Sequence, residues 1–222
     1  MKTFKNVLAI ILLGGCLYSC KKSDVKLTPL SSLNLTNAVI GDSTVMLNTN
    51  TSLVSNNSFG QFGLLAGQSQ VKVYAAADPA HPYYNQTLAT ANGSYYSLFL
   101  TGASTGSIDA ILIKESYKNY TDSLCGVRFI NLSPDSNPIS VDIAGLANGS
   151  EVASLAYKAY TTFKQYPATA AASSYNFEVR DAASGNVIAT YTLSTPYFHN
   201  VTLALTGLVN AATANILQVN EF

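Results

Sequence analysis

Beyond residue 30, apolar and polar positions alternate with a period of two through most of the chain, the pattern of strands with one dry and one wet face. In "YNFEV", Tyr175, Phe177 and Val179 are expected to face a core while Asn176, Glu178 and Arg180 face water. Val201, Leu203 and Leu205 likewise oppose Thr202, Ala204 and Thr206. Turn signals punctuate these runs: Asn92-Gly93 before "SYYSLFL", and "ASGN" at 183–186 between "FEVRD" and "VIATYTL", each expected to close a hairpin. The stretch "SEVASLAYKAY" is ambiguous. Val152, Leu155, Ala156 and Ala159 have helical spacing behind a cap at Ser150, yet a loop with an edge strand fits equally, because its counterpart "FGQF" at Phe59 to Phe62 lacks that spacing.

The alternation also repeats. "LNLTNAVIGDSTVML" from Leu33 lies over "VRFINLSPDSNPISV" from Val127, aligning Leu35 with Phe129 and Asn37 with Asn131. "YYSLFLTG" ending at Gly102 matches "NVTLALTG" ending at Gly207, and "ILI" from Ile111 matches "ILQ" from Ile216. Two copies of one fold follow, at 31–118 and 124–222, joined by a linker at 119–123. Short strands with regular turns and no βαβ alternation predict an all-β protein of two tandem immunoglobulin-like antiparallel β-sandwich domains, each of seven or so strands.

The start of the chain follows another pattern. Lys2 and Lys5 precede an apolar run from Val7 to about Tyr18, too short for a helix crossing a bilayer, which takes about 20 apolar residues. Ser19 before Cys20, with Leu17 two positions earlier, resembles a bacterial lipobox. Residues 1–19 are then a lipoprotein signal peptide and 20–30 a lipidated cysteine and tether. "LGGC" ending at Cys16 resembles the same box, but cleavage there leaves a very short apolar run. Several acyl chains, at about 0.8 kcal/mol per buried methylene, hold a domain at a membrane permanently. This places the protein in the cell envelope, at the outer membrane facing the periplasm or the cell surface.

Composition narrows the choice of function. Charged residues make up 11% of the chain with acids equal to bases, so the footprint for nucleic acid is missing. Once cleaved at Cys20 the chain keeps one thiol, Cys125, so stability is expected from packed sheets and not from disulfides. His81 and His199 are the only histidines, and no cluster has zinc spacing, so neither metal nor cofactor is expected.

"GASTG" at 102–106 has the form of a nucleophile elbow with Ser104 at its centre, and Asp122, Asp142, Asp181 and His199 follow in hydrolase order. An elbow feeds a helix, whereas "TGSIDAILI" continues as a strand, so no enzymatic activity is expected. "DST" at 42–44 and "DSL" at 122–124 resemble short O-glycosylation triplets of Bacteroidetes envelope proteins. Aromatic residues are the remaining signal, with 14 tyrosines and no tryptophan. Tyr83, Tyr84, Tyr95, Tyr96, Tyr157, Tyr160 and Tyr197 are candidate ligand-binding residues, with Phe163, Tyr166 and Phe198 beside them, because exposed rings stack on sugar faces or anchor a protein partner.

"VRFINLSPDSNPISVDIAG", 127–145, resembles the opening of DUF4397, a bacterial family catalogued as a domain of unknown function. The resemblance rests on Ser133-Pro134-Asp135, Val141-Asp142 and Gly145 and is supported by "LTG" at Gly207. It covers nearly all of the second copy, and the first departs from it where "VIGDST" replaces "LSPDSN". It implies an envelope β-sandwich of Bacteroidetes type with no reaction to carry over. The expectation is a non-enzymatic, lipid-anchored interaction or spacer module; the alternative is a carbohydrate-binding accessory protein of a glycan-uptake system.

Overall fold

The computed structural model describes residues 27–41, 44–48, 52–195 and 199–222. Among them the first half of the chain contributes β1 (Leu30–Asn37), β2 (Val45–Leu47), β3 (Leu53–Val54), β4 (Ser58–Leu65), β5 (Gly67–Ala75), β6 (Tyr84–Thr90), β7 (Tyr95–Gly102) and β8 (Ile108–Glu115). The second half contributes β9 (Leu124–Asn131), β10 (Ile139–Ile143), β11 (Val152–Leu155), β12 (Lys164–Pro167), β13 (Ser174–Asp181), β14 (Val187–Ser194), β15 (Asn200–Thr206) and β16 (Asn215–Asn220).

Four sheets result, ordered β4-β1-β7-β8 and β3-β2-β5-β6 in the first unit, β12-β9-β15-β16 and β11-β10-β13-β14 in the second. Adding eight to each strand number of the first unit reproduces the second. The registers agree as well: in the parallel pairs β1–β7 and β9–β15, Leu35 lies beside Leu98 and Phe129 beside Leu203. Each sandwich thus has eight strands, with one parallel pair inside an otherwise antiparallel framework. The sheets place Ile111 level with Leu217, opposite Phe99 and Ala204, so the apparent match of Ile111 to Ile216 is one residue out.

Local expectations divide. "ASGN" closes the β13–β14 hairpin, but Asn92-Gly93 carries the chain from β6 in one sheet to β7 in the other. The stretch after Ser150 forms edge strand β11 and then turns through Lys158 at φ +68°, not a helix. The counterpart of β11 in strand order is β3; "FGQF" belongs to β4.

Each sandwich has its own core, Leu33, Leu35, Val71, Val73 and Leu98 in the first and Val127, Phe129, Phe177, Val179 and Leu203 in the second. A third cluster lies between them: Ala38, Phe99, Ile113, Ile130, Leu132, Ala204 and Val219, flanked by Phe59, Ile111 and Leu217. The β4-β1-β7-β8 sheet therefore stacks on the β12-β9-β15-β16 sheet, giving four layers. This corrects the wet face expected for β15. Thr202, Ala204 and Thr206 are buried because the first unit covers them, whereas Asn176 in outer strand β13 remains exposed.

Candidate functional site

Stacking two sheets by their central strands forces polar side chains into the seam, where each must find a partner. Arg128 of β9 meets Glu115, at the end of β8, through Nη1 to Oε2 at 3.0 Å and Nη2 to Oε1 at 2.6 Å. Its Nη2 also donates to Glu221 Oε1 at 3.0 Å, and its Nε to Thr202 Oγ1 at 2.8 Å. The three charged side chains are 3%, 3% and 0% exposed. Glu221 Oε2 accepts from Asn34 Nδ2 at 3.0 Å, Tyr117 OH at 2.8 Å and Ser97 Oγ at 3.3 Å, so one carboxylate ties β16 to β1, β7 and the chain beyond β8. Burial pulls the Arg128 pKa down, but Glu221 and Glu115 outweigh it and leave it above its ordinary value. Burial, then the same two carboxylates, pushes the Tyr117 phenol far above its ordinary range.

Aromatic rings enclose this network. The Arg128 guanidinium lies 4.6 Å from the Phe163 ring centre, 5.6 Å from Phe99 and 5.9 Å from Tyr160. Tyr117 continues the layer, 5.8 Å from Phe163 and 5.5 Å from Tyr95, which meets Phe222 at 5.1 Å. Above it runs a groove of about 400 Å³ bordered by Tyr120, Lys118, Tyr160, Phe163 and Gln165. Such a groove offers ring faces and amide or ammonium donors to a ligand.

Of the predicted aromatics, the seam collects Tyr95 and Tyr160, 38% and 46% exposed, with Phe163. Tyr83 and Tyr84 instead pack against the first core, and burial raises the Tyr84 phenol. Tyr96 is buried, its hydroxyl 3.3 Å from the Ala89 carbonyl. Tyr157 donates to Asp109 at 3.1 Å across the far end of the seam, beside Lys158 at the same distance. Tyr166 is buried against Tyr175 and Phe177. Tyr197, Phe198, Cys16 and Cys20 lie outside the described residues, as do Asp42 and Ser43 of the first triplet; Asp122 and Ser123 of the second are exposed. Sequence reasoning missed Arg128, Glu115, Glu221, Tyr117 and Phe222. The available signal was a charge inside the apolar "VRFI" and one glutamate closing the last strand of each repeat.

The remaining chemistry-bearing residues are apart. Ser104 sits in the β7–β8 turn, whereas His199 precedes β15 at the opposite end of the strands, a strand length or about 23 Å away. They form no triad. His81 Nδ1 is 2.9 Å from Asp78 in an exposed turn. Cys125 is fully buried, and burial pushes its thiol up to about 11. Burial pushes the Asp135 pKa up, but the N–H groups of Asn210 and Val209, at 2.9 and 2.8 Å, outweigh it and leave it lowered, so its turn braces the loop after β15. Among the described residues no three His, Cys, Asp or Glu side chains group as metal ligands.

Comparison with known proteins adds the following. No curated protein matches the chain. Among solved structures, it is similar to the C-terminal domain of AlgF from P. aeruginosa at 16% identity and TM-score 0.31, covering 40% of this chain and 100% of that one. It is similar at 9% identity and TM-score 0.28 to CBMbc, a family CBM26 module of Eubacterium rectale Amy13K in complex with maltoheptaose, covering 86% and 96% of the two chains. A structure titled for alpha-glucan binding by a streptococcal virulence factor shares 11% identity over 78% and 93%, with TM-score 0.28. The family described as "Domain of unknown function (DUF4397)" matches residues 31–144, which hold the first sandwich from the second residue of β1 onward and β9 and β10 of the second. The match therefore begins in the copy expected to depart from the family, and it takes in the Ser133-Pro134-Asp135 turn and the Val141-Asp142 pair that suggested it. Spanning half of its length, this match makes the chain a member of the DUF4397 family.

Proposed function

We propose that the chain is a non-enzymatic protein of the cell envelope, anchored in the outer membrane through lipid on Cys20, whose paired sandwiches act as a rigid interaction or spacer module. The observation that carries this reading is the seam. Two sandwiches that merely shared a linker would move independently, because small inter-domain contacts permit motion. Here an apolar cluster and a buried three-charge network join them, so a partner bound on one unit keeps a fixed distance from a partner or membrane on the other. The lipobox-like "LYSC" at 17–20 supports the anchor.

The test is metabolic labelling of the full chain with an alkyne fatty acid in a Gram-negative host. Label that disappears in Cys20→Ala, survives in Cys16→Ala and tracks with the outer-membrane fraction supports the anchor; label retained in Cys20→Ala overturns it. A glycan-binding reading is favoured by the groove beside the exposed Tyr160 ring. A glycan array that lights up with the native protein and goes dark with a folded Tyr160→Ala variant would establish it in place of the spacer.

A further inference from the structure

Both sandwiches point the same way. Asn34 reaches Glu221 while Arg128 reaches Glu115, and these pairs occupy equivalent levels of the two units. The stack thus has two distinct ends. At one of them β1, β5, β7, β9, β13 and β15 begin, and Leu27 leads into β1.

Large exposed apolar side chains concentrate there. Of eight among the described residues, Leu27 (86%), Leu30 (48%), Leu65 (62%), Tyr95 (38%) and Leu146 (56%) lie at this end. Leu30 and Leu65 stand opposite each other on β1 and β4, and the next rung on the same face is Gly63, Ser32 and Tyr95. The position of a Gly63 Cβ has no atom within 4 Å, so the seam face of this sheet is open where it meets the end. Leu146 belongs to the outer sheet of the other sandwich, in the turn after β10. Apolar points spread over separate layers but level at one end suit a broad flat partner better than a pocket.

Charge agrees. Residues 66–67, 91–94 and 168–173 in the turns of this end contain no charged side chain, the turn 144–151 holds only Glu151, buried against Lys164 and Tyr166, and the connection 116–123 brings one of each sign, Lys118 and Asp122. The opposite end carries Asp78, Asp135 and Lys158 in its turns and Asp181 at the last position of β13. An end whose turns expose one charge of each sign approaches the headgroup and acyl boundary at a smaller desolvation cost than one lined by several carboxylates. Tyrosine is a residue favoured at that depth.

We infer that this end is a membrane-resting face: Leu27, Leu30, Leu65, Tyr95 and Leu146 touch the lipid surface that holds the anchor, and the stack stands upright on it. The inference rests on the proposed lipid anchor. Nine residues lie between Cys20 and Leu30, and the ten residue steps span at most about 35 Å, so the anchor keeps this end within reach of the bilayer.

The natural chain has no tryptophan, so one introduced indole reports alone. Leu65→Trp, Leu146→Trp and Val187→Trp, the last at the opposite end, are made in the full lipidated chain and reconstituted into nanodiscs containing doxyl-labelled phosphatidylcholine. Emission from the first two is expected to shift blue and fall by about half or more, with Val187→Trp unchanged, as shallow interfacial insertion requires. Protein that stays in the nanodisc fraction without quenching of Leu65→Trp and Leu146→Trp, whether monomeric or paired with a second copy, overturns the face while leaving the anchor. Equal quenching at all three positions also overturns it. Protein absent from the nanodisc fraction overturns the anchor and this face together.

Discussion

Glu115 and Glu221 occupy the same place at the end of the last strand of each sandwich, and both carboxylates bond the one guanidinium of Arg128. The position equivalent to Arg128 in the first sandwich is Asn34, which donates to Glu221. A repeat with identical residues in both halves would bury two guanidinium groups with two carboxylates. Replacing one with an amide leaves a network of single net negative charge, in which the Asn34 Nδ2 is bonded while its buried Oδ1 has no partner.

Removing Arg128 would leave Glu115 and Glu221 buried and facing each other. Arg128→Ala is expected to lose about 3–5 kcal/mol in urea unfolding, the cost of an uncompensated buried charge. The triple variant Arg128→Met, Glu115→Leu, Glu221→Leu is expected to recover most of that loss, because apolar groups of similar volume need no partner. A triple variant as weak as Arg128→Ala would show that the seam depends on shape and not on charge.

Phe99 is fully buried yet faces the other sandwich and not its own core. Phe99→Ala is expected to cost about 3–5 kcal/mol and to split one unfolding transition into two, since each sandwich retains a separate core. Circular dichroism and tyrosine fluorescence followed through the same urea series would then no longer coincide.

Sequence patterning made the strands and the two sandwiches readable, because core positions such as Phe177 and Val179 must be large and apolar while their neighbours need not be; the parallel pairs β1–β7 and β9–β15 lay outside the antiparallel expectation. It could not reveal the seam. Thr202 and Thr206 suit water and suit a buried hydroxyl network equally, and Ala204 suits either face. Arg128 reads as solvated until the partners that neutralise it, 13 residues before and 93 after it in the chain, are brought alongside. The tyrosines misled for a related reason. Strand propensity selects tyrosine whether its ring is exposed, as at Tyr160, or buried, as at Tyr96.

Gly102 and Gly207 close β7 and the equivalent strand β15 at φ +98° and +79°. A Cβ at either would lie 2.2 Å from the Ser107 carbonyl oxygen or 2.3 Å from that of Thr213. Alanine at each is expected to destabilise by more than about 1 kcal/mol in thermal or urea unfolding, since backbone must shift as well as adopt a strained angle. Gly63→Ala, where the space is open, is the control expected to change little. Equal effects at Gly63 and Gly102 would contradict this geometry.

Cys125 combines full burial with a thiol pushed up to about 11, so little thiolate exists near neutrality and reagents have no path to it. The folded chain cleaved at Cys20 is expected to resist Ellman's reagent at pH 8 for hours and to release one equivalent of thiolate within minutes in urea. Rapid reaction in the absence of urea would reveal an opening of the second core.

Asp181 is held in its charged form by the turn after β13. Its Oδ1 accepts from Ser184 N at 2.7 Å, Ser184 Oγ at 2.9 Å and Ala183 N at 3.1 Å, and its Oδ2 from Asn137 Nδ2 at 2.9 Å. The Ser184 backbone bond leads, followed by Asn137 and the Ser184 hydroxyl, and together they lower the pKa from 3.8 to about 2. A folded value below the unfolded one means that the stabilisation is complete above the unfolded pKa and fades as pH falls through the folded one. The window is therefore about pH 4 down to about pH 2. A carboxyl carbon titration by NMR is expected to show the Asp181 midpoint near the lower limit, and Asn137→Ala is expected to move it upward. A midpoint near 3.8 in the folded protein would mean that these hydrogen bonds do not persist in solution.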